Sequence, residues 1–235
     1  MSQLEAVAYH HGDAELTGWL ARPQESPRAA ILVFPTIANF TPAIERRAAM
    51  LADLGYLALI ADFYGERVAD FAAAGPLADK LRADVGHYRA RLGAALDALR
   101  GLPEAAGLPV FAIGFCMGGQ AALELAREGH NLAAAVSFHG ILSTDRPAEL
   151  GRVRARLLVC HGDADPLVPR QQVLGFWEEM DRAGADWHFH VYANVKHGFT
   201  DPGSDARGLP AIGYDTSADR QSWTAMRNLF DEILG

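Results

Sequence analysis

Lysine is nearly absent from this chain: Lys80 and Lys196 are the only two in 235 residues. Even with its arginines the chain has 21 basic against 29 acidic residues, a formal net charge of −8. That balance excludes a broad basic face for nucleic acid or an anionic membrane. Cysteine is equally scarce. Cys116 and Cys160 stand alone, too few for a disulfide framework and consistent with a reducing, cytoplasmic setting. No apolar run is long enough to cross a bilayer, and Met1-Ser2-Gln3-Leu4-Glu5 lacks the basic start and apolar stretch of a secretory signal. No Pro/Gly/Ser-rich linker interrupts the sequence, so a single domain over residues 1–235 is expected. The expected partner is a small molecule, with no nucleic acid and no membrane, and the expected assembly is a monomer or homodimer.

What is present is alternation. Continuous apolar runs at Ala29 to Phe34, Leu57 to Ala61, Val110 to Ile113, Ala133 to Phe138, Arg156 to Cys160 and Trp187 to Tyr192 are separated by longer helical patterns. The helical patterns cover about Pro42 to Leu54, Asp84 to Arg100, Met117 to Arg127, Pro169 to Ala183 and Ser217 to Leu234. This is the signature of an α/β fold, a mostly parallel central sheet with helices on both faces. Ahead of it, Glu5 to His10 and Glu15 to Ala21 flank a polar turn and predict an N-terminal antiparallel hairpin. In such sheets the ligand site lies beyond the C-terminal strand ends. Chemistry is therefore sought just after each run.

After the Val110 run comes Gly114-Phe115-Cys116-Met117-Gly118-Gly119, followed by a helical pattern. Strand, glycine-flanked turn and helix in that order make a nucleophile elbow with cysteine in the serine position. The adjacent helix N-terminus favours negative charge, so the Cys116 thiol should ionise more readily than a free one. As a small core residue in a tight turn, Cys116 would need no partners.

Partners do follow. His161-Gly162-Asp163-Ala164-Asp165-Pro166-Leu167-Val168-Pro169 succeeds one run, and Ala193-Asn194-Val195-Lys196-His197-Gly198-Phe199 succeeds the last. The chain order of nucleophile, acid and histidine is that of α/β-hydrolases. His197 would shuttle the proton, and an aspartate would fix its tautomer. Asp165, immediately before the Pro-Leu-Val-Pro turn, is assigned that role over Asp163, which is expected to cap the loop. Acyl transfer also needs two amide donors for the oxyanion. Met117 supplies one, and Ile37, in the loop Phe34-Pro35-Thr36-Ile37-Ala38-Asn39, is assigned the other.

Together with Asp62-Phe63-Tyr64-Gly65 and His197-Gly198-Phe199, these motifs resemble the dienelactone hydrolase family of α/β-hydrolases over nearly the whole chain. The resemblance implies a Cys116–His197–Asp165 triad and hydrolysis of carboxylic esters or lactones without metal or organic cofactor. Two positions depart from the family's pattern. Thr36 stands where dienelactone-cleaving members carry a glutamate near the thiol, and Asp201 stands where they carry a carboxylate-gripping arginine. Arg67 lies one residue out of step with a second anchoring arginine, behind Glu66. Negative charge at Asp201 and Glu66 would repel an anionic substrate, so small neutral esters or lactones are expected.

Thr36, Tyr64, Arg67, Phe115, His139 and Phe199 are the candidate substrate contacts. His188 and His190 alternate on one strand without a third ligand, so no metal site is expected. The absence of an insertion after the elbow argues against a lid domain. Two other functions would fit the motifs less fully: a non-catalytic binding module on the same fold, or a redox role for Cys116, for which no C-x-x-C motif supplies a resolving thiol.

Overall fold

Ala29 to Phe34 are six consecutive buried residues, and a strand so uniformly apolar can be stable only if both of its faces are covered. In the computed structural model, which describes residues 4–69 and 71–235, that strand is β3 of eight. Met1-Ser2-Gln3, read above for the want of a leader, lie outside the described residues. The chain packs as two compact units, Met1–Ile113 and Gly114–Gly235.

In the first unit β1 (Glu5–His11) and β2 (Ala14–Ala21) form the expected antiparallel hairpin, with Glu5 opposite Leu20 and His11 opposite Ala14. β2 continues antiparallel onto β4 (Tyr56–Ile60), and β3 runs parallel to β4 with Ala29 opposite Tyr56. α1 (Pro42–Asp53) starts where Thr41 caps it, its hydroxyl accepting from the Ile44 amide, and buries Ile44, Ala48, Leu51 and Ala52 along one stripe. It packs on β2 and β4. α3 (Val85–Arg100), capped by Asp84, packs on β1 and β3. Between them lies α2 (Phe71–Arg82), which the sequence reading does not foresee. Its buried stripe, Ala74, Ala78 and Leu81, is nearly all alanine, and Gly75-Pro76 interrupts it. Small residues leave little hydrophobic periodicity to detect.

β5 (Val110–Phe115) runs from the first unit into the second. In the second unit α4 (Met117–Glu128) leads to β6 (Ala134–Phe138), which pairs in parallel with β7 (Arg156–Gly162). β7 pairs in parallel with β8 (Trp187–Tyr192), Leu157 lying opposite Trp187. α5 (Arg170–Ala183) connects those two strands, and α6 (Thr216–Leu234) closes the chain.

Inside this unit Arg127 of α4 is almost fully enclosed. It reaches Glu124 at 2.9 Å, Glu179 of α5 at 2.8 Å and the Leu142 carbonyl at 2.6 Å. Replacing one member of a buried ionic group strands the others without compensation. Arg127→Met is expected to lower stability by about 3–5 kcal/mol, measured as a shift of the urea unfolding midpoint.

Candidate active site

The turn between β5 and α4 places Cys116 at φ 58° and ψ −119°. A side chain at positive φ costs roughly 1–3 kcal/mol and persists only where surrounding contacts impose it. Here the Cys116 N–H points at both the Phe138 carbonyl and His139 Nδ1, each at 3.1 Å. The Cys116 carbonyl accepts from the amides of Gly119 and Gln120, which opens α4 with Met117 as its first residue. The turn is tight: a Cβ on Gly114 would lie 1.8 Å from the Gly118 carbonyl oxygen. Cys116 is left partly exposed, whereas Cys160 is fully buried.

His197 and Asp165 come from neighbouring loops that are hydrogen-bonded to each other. The amides of Asp163 and Ala164 donate to the carbonyls of Tyr192 and Val195, each at 2.9 Å. That approach requires Gly162, because a Cβ there would meet the Val195 oxygen at 2.3 Å. The His197 main chain is held in turn by Ala211 and Gly213. Asp165, 3% exposed, accepts the Leu167 amide on Oδ1 and meets His197 Nδ1 at 2.7 Å on Oδ2. Asp163 turns outward instead and forks onto Arg170 at 2.6 and 2.9 Å, which holds its carboxyl below the usual range. An aspartate on Nδ1 fixes the tautomer that leaves Nε2 for chemistry.

Burial works against a charge on His197, yet the neighbouring Cys116 sulfur and the Asp165 carboxylate outweigh it and raise the imidazole to about 10. His197 Nε2 is itself buried and, among the described residues, has no oxygen or nitrogen partner. Its electrostatic partner is Cys116. Burial raises the Cys160 thiol to about 12, so that thiol is a poor resolving partner for a redox role of Cys116.

The other candidate residues fall in different places. Phe115 and Phe199 are 2% and 0% exposed. Phe115 stacks on Phe138, and Phe199 packs against His139 and Tyr192. Both belong to the core. His139 is also enclosed, with both ring nitrogens engaged within the protein. In the first unit Thr36 closes a turn, its carbonyl accepting from Asn39 and its hydroxyl from Ala38. Tyr64 donates its hydroxyl to the Ile37 carbonyl at 2.9 Å. The Ile37 amide itself makes no hydrogen bond among the described residues. Arg67 is exposed beside a cavity of about 550 Å³ lined in part by Trp19, Phe40 and Asp62.

Three features of the sequence carried no signal. Asn39, at φ 61°, bridges Asp62 Oδ1 and the Phe63 amide and so ties the loop after β3 to the loop after β4. Thr200 meets His139 Nε2 at 2.8 Å. Arg207 pairs with Asp201, so Asp201 does not present a bare negative charge. The expectation that Asp201 repels anions is corrected accordingly.

The dienelactone hydrolase family matches residues 16–234. The chain belongs to that family. Among solved structures it is similar to a dienelactone hydrolase-like promiscuous phosphotriesterase from metagenomic libraries, with 39% identity, 99% of each chain covered and a TM-score of 0.93. An uncharacterized protein of Caenorhabditis elegans is 37% identical over 152 residues, 63% of this chain and 96% of its own. A probable 2-oxo-3-(5-oxofuran-2-ylidene)propanoate lactonase of Bradyrhizobium sp is 26% identical over 210 residues, 83% of each chain. As a member of the dienelactone hydrolase family the chain is a hydrolase of the α/β-hydrolase fold, mostly parallel with an antiparallel N-terminal hairpin. No described helix is long and apolar enough to cross a membrane.

Proposed function

We propose that the protein is a single-domain hydrolase of small neutral carboxylic esters or lactones, acting through a Cys116 acyl-enzyme. The observation that carries this reading is the His197–Asp165 contact of 2.7 Å in an imidazole whose charge is sustained by Cys116. The resting pair is thiolate and imidazolium. The thiolate attacks the substrate carbonyl, and the oxyanion that forms is assigned to the Met117 amide at the start of α4. The tetrahedral adduct collapses as the His197 imidazolium gives its proton to the departing alkoxide, leaving a thioester. Neutral His197 then takes a proton from water. The hydroxide attacks the thioester, and collapse releases the acid and restores the ion pair.

A raised folded-state pKa has a defined sign. The stability that the charged imidazole lends is complete below its ordinary value near 6.5 and is lost as pH rises through about 10. Between those limits the cation sustains the thiolate. Alkylation of Cys116 by iodoacetamide is therefore expected to be nearly level from about pH 6 to 9, where a free thiol would gain roughly tenfold per unit toward about 8.5. His197→Gln should restore that rise, and a free-thiol profile in the unaltered protein would exclude a resting ion pair.

Substrate charge follows from which cations are uncommitted. A carboxylate taken from water needs a guanidinium or several amides, and Arg207, near the place of the family's arginine, is already on Asp201. The similar solved structure is named a promiscuous phosphotriesterase, and the more distant relative a probable propanoate lactonase. A neutral lactone or ester is expected to exceed dienelactone in kcat/KM by about tenfold or more, the effect of about 1.4 kcal/mol. Matched leaving groups are required for the comparison, and a preference for the anion would contradict the expected substrate class.

A further inference from the structure

His139 lies at the end of β6 with φ 42°, outside the usual range for a side chain with a Cβ. It is 2% exposed. Its amide donates to the Cys160 carbonyl at 2.8 Å, and its ring is held on every side. Nδ1 accepts the Cys116 amide at 3.1 Å, and Nε2 lies 2.8 Å from Thr200 Oγ1. The ring stands edge-on to His197, 5.1 Å between centroids, and edge-on to Phe199 at 5.2 Å. A neutral imidazole carries one proton. Because Nδ1 accepts from an amide, that proton is on Nε2 and is donated to Thr200.

One neutral ring therefore touches the backbone of Cys116, the ring of His197 and the side chain three residues beyond His197. We propose that His139 is a positioning residue that sets the Cys116 sulfur in register with the His197 ring, with Thr200 fixing its tautomer. This rests on the assignment of Cys116 and His197 above. The strained backbone at both Cys116 and His139 gives the arrangement its purpose: two turns at positive φ are held face to face by the bond from one backbone to the other's ring. A ring flipped to Nδ1–H would set two donors against each other at Cys116. A protonated ring would do the same and would add a second positive charge beside His197.

Three substitutions separate positioning from packing and from substrate contact. His139→Phe keeps the ring and removes both nitrogens. His139→Asn keeps an acceptor, its Oδ1, at the position of Nδ1, and tolerates positive φ. Thr200→Val removes the acceptor of the Nε2 proton and leaves the His139 ring in place. For His139→Phe, kcat on a neutral ester is expected to fall about 10- to 100-fold with KM within about threefold, because a misplacement near 1 Å costs on that order. Cys116 alkylation at pH 7, followed by peptide mapping, should slow in parallel. His139→Asn should recover part of both losses, and Thr200→Val should reproduce a smaller loss of both.

A rise in KM with kcat unchanged would make His139 a substrate contact. A lowered melting temperature with kcat and alkylation rate unchanged would make it packing alone. Either result overturns the proposal. If His139→Phe does not fold, His139→Asn and Thr200→Val still decide, since unchanged kcat and alkylation in both would refute the positioning role. Failure of the nucleophile assignment is seen separately, as full ester turnover by Cys116→Ala, whereas alkylation reads the Cys116 sulfur whether or not that assignment holds.

Discussion

Cys116→Ala is expected to abolish ester hydrolysis, by roughly 10⁴-fold or more in kcat, while leaving the protein folded. The size follows from chemistry. Without the sulfur no acyl-enzyme forms, and the remaining amides and His197 can only assist a direct attack by water. Folding should survive because Cys116 is partly exposed and its removal empties little of the core. Alanine at φ 58° also suffers the same backbone strain that cysteine already bears. Circular dichroism and the unfolding midpoint serve as the control on fold, and kcat with a neutral ester as the readout.

The second large effect concerns the acid. Asp165→Asn is expected to lower kcat by about 10²- to 10⁴-fold, because an amide at Nδ1 no longer holds the imidazole in its working tautomer or balances its charge. His197→Ala should cost nearly as much as loss of the nucleophile, since such groups act as a unit. Asp163→Asn should change kcat by no more than a few-fold, for Asp163 faces Arg170 at the surface. Steady-state kinetics of the three variants on one ester give the order. If Asp163→Asn proved the more harmful, the acid would have been misassigned.

Much of this was legible because it is local in sequence. The six apolar runs coincide with β3 to β8 to within two residues at either end; β3 to β7 are buried on both faces and so are continuously hydrophobic, whereas β8 is partly exposed and alternates. The choice of Asp165 over Asp163 also came from a local cue, the turn beginning at Pro166; in the structure Asp165 lies 2.7 Å from His197 Nδ1. What could not be read were pairings between residues far apart in the chain. Nothing near Asp62 announces Tyr9, whose hydroxyl meets both its amide and its carbonyl from 53 residues away. Nothing near His139 announces Thr200, 61 residues away. The burial of Phe115 and Phe199 was hidden for a related reason: an aromatic residue beside a functional motif reads the same whether it is exposed or packed in the core. Arg89 and Arg91 on α3 show the same limit. Both are buried, and Arg91 holds the Phe63 carbonyl at 2.7 Å, bracing the loop after β4 from a distance no pattern encodes.

The most direct test of the central claim is rapid-quench mass spectrometry of the protein during turnover of a neutral p-nitrophenyl ester. The expected result is a transient mass increase equal to the acyl group, located by peptide mapping on Cys116, formed with a burst of nitrophenol and absent from Cys116→Ala. Undiminished turnover with no acyl group on Cys116, or equal turnover by Cys116→Ala, would contradict it.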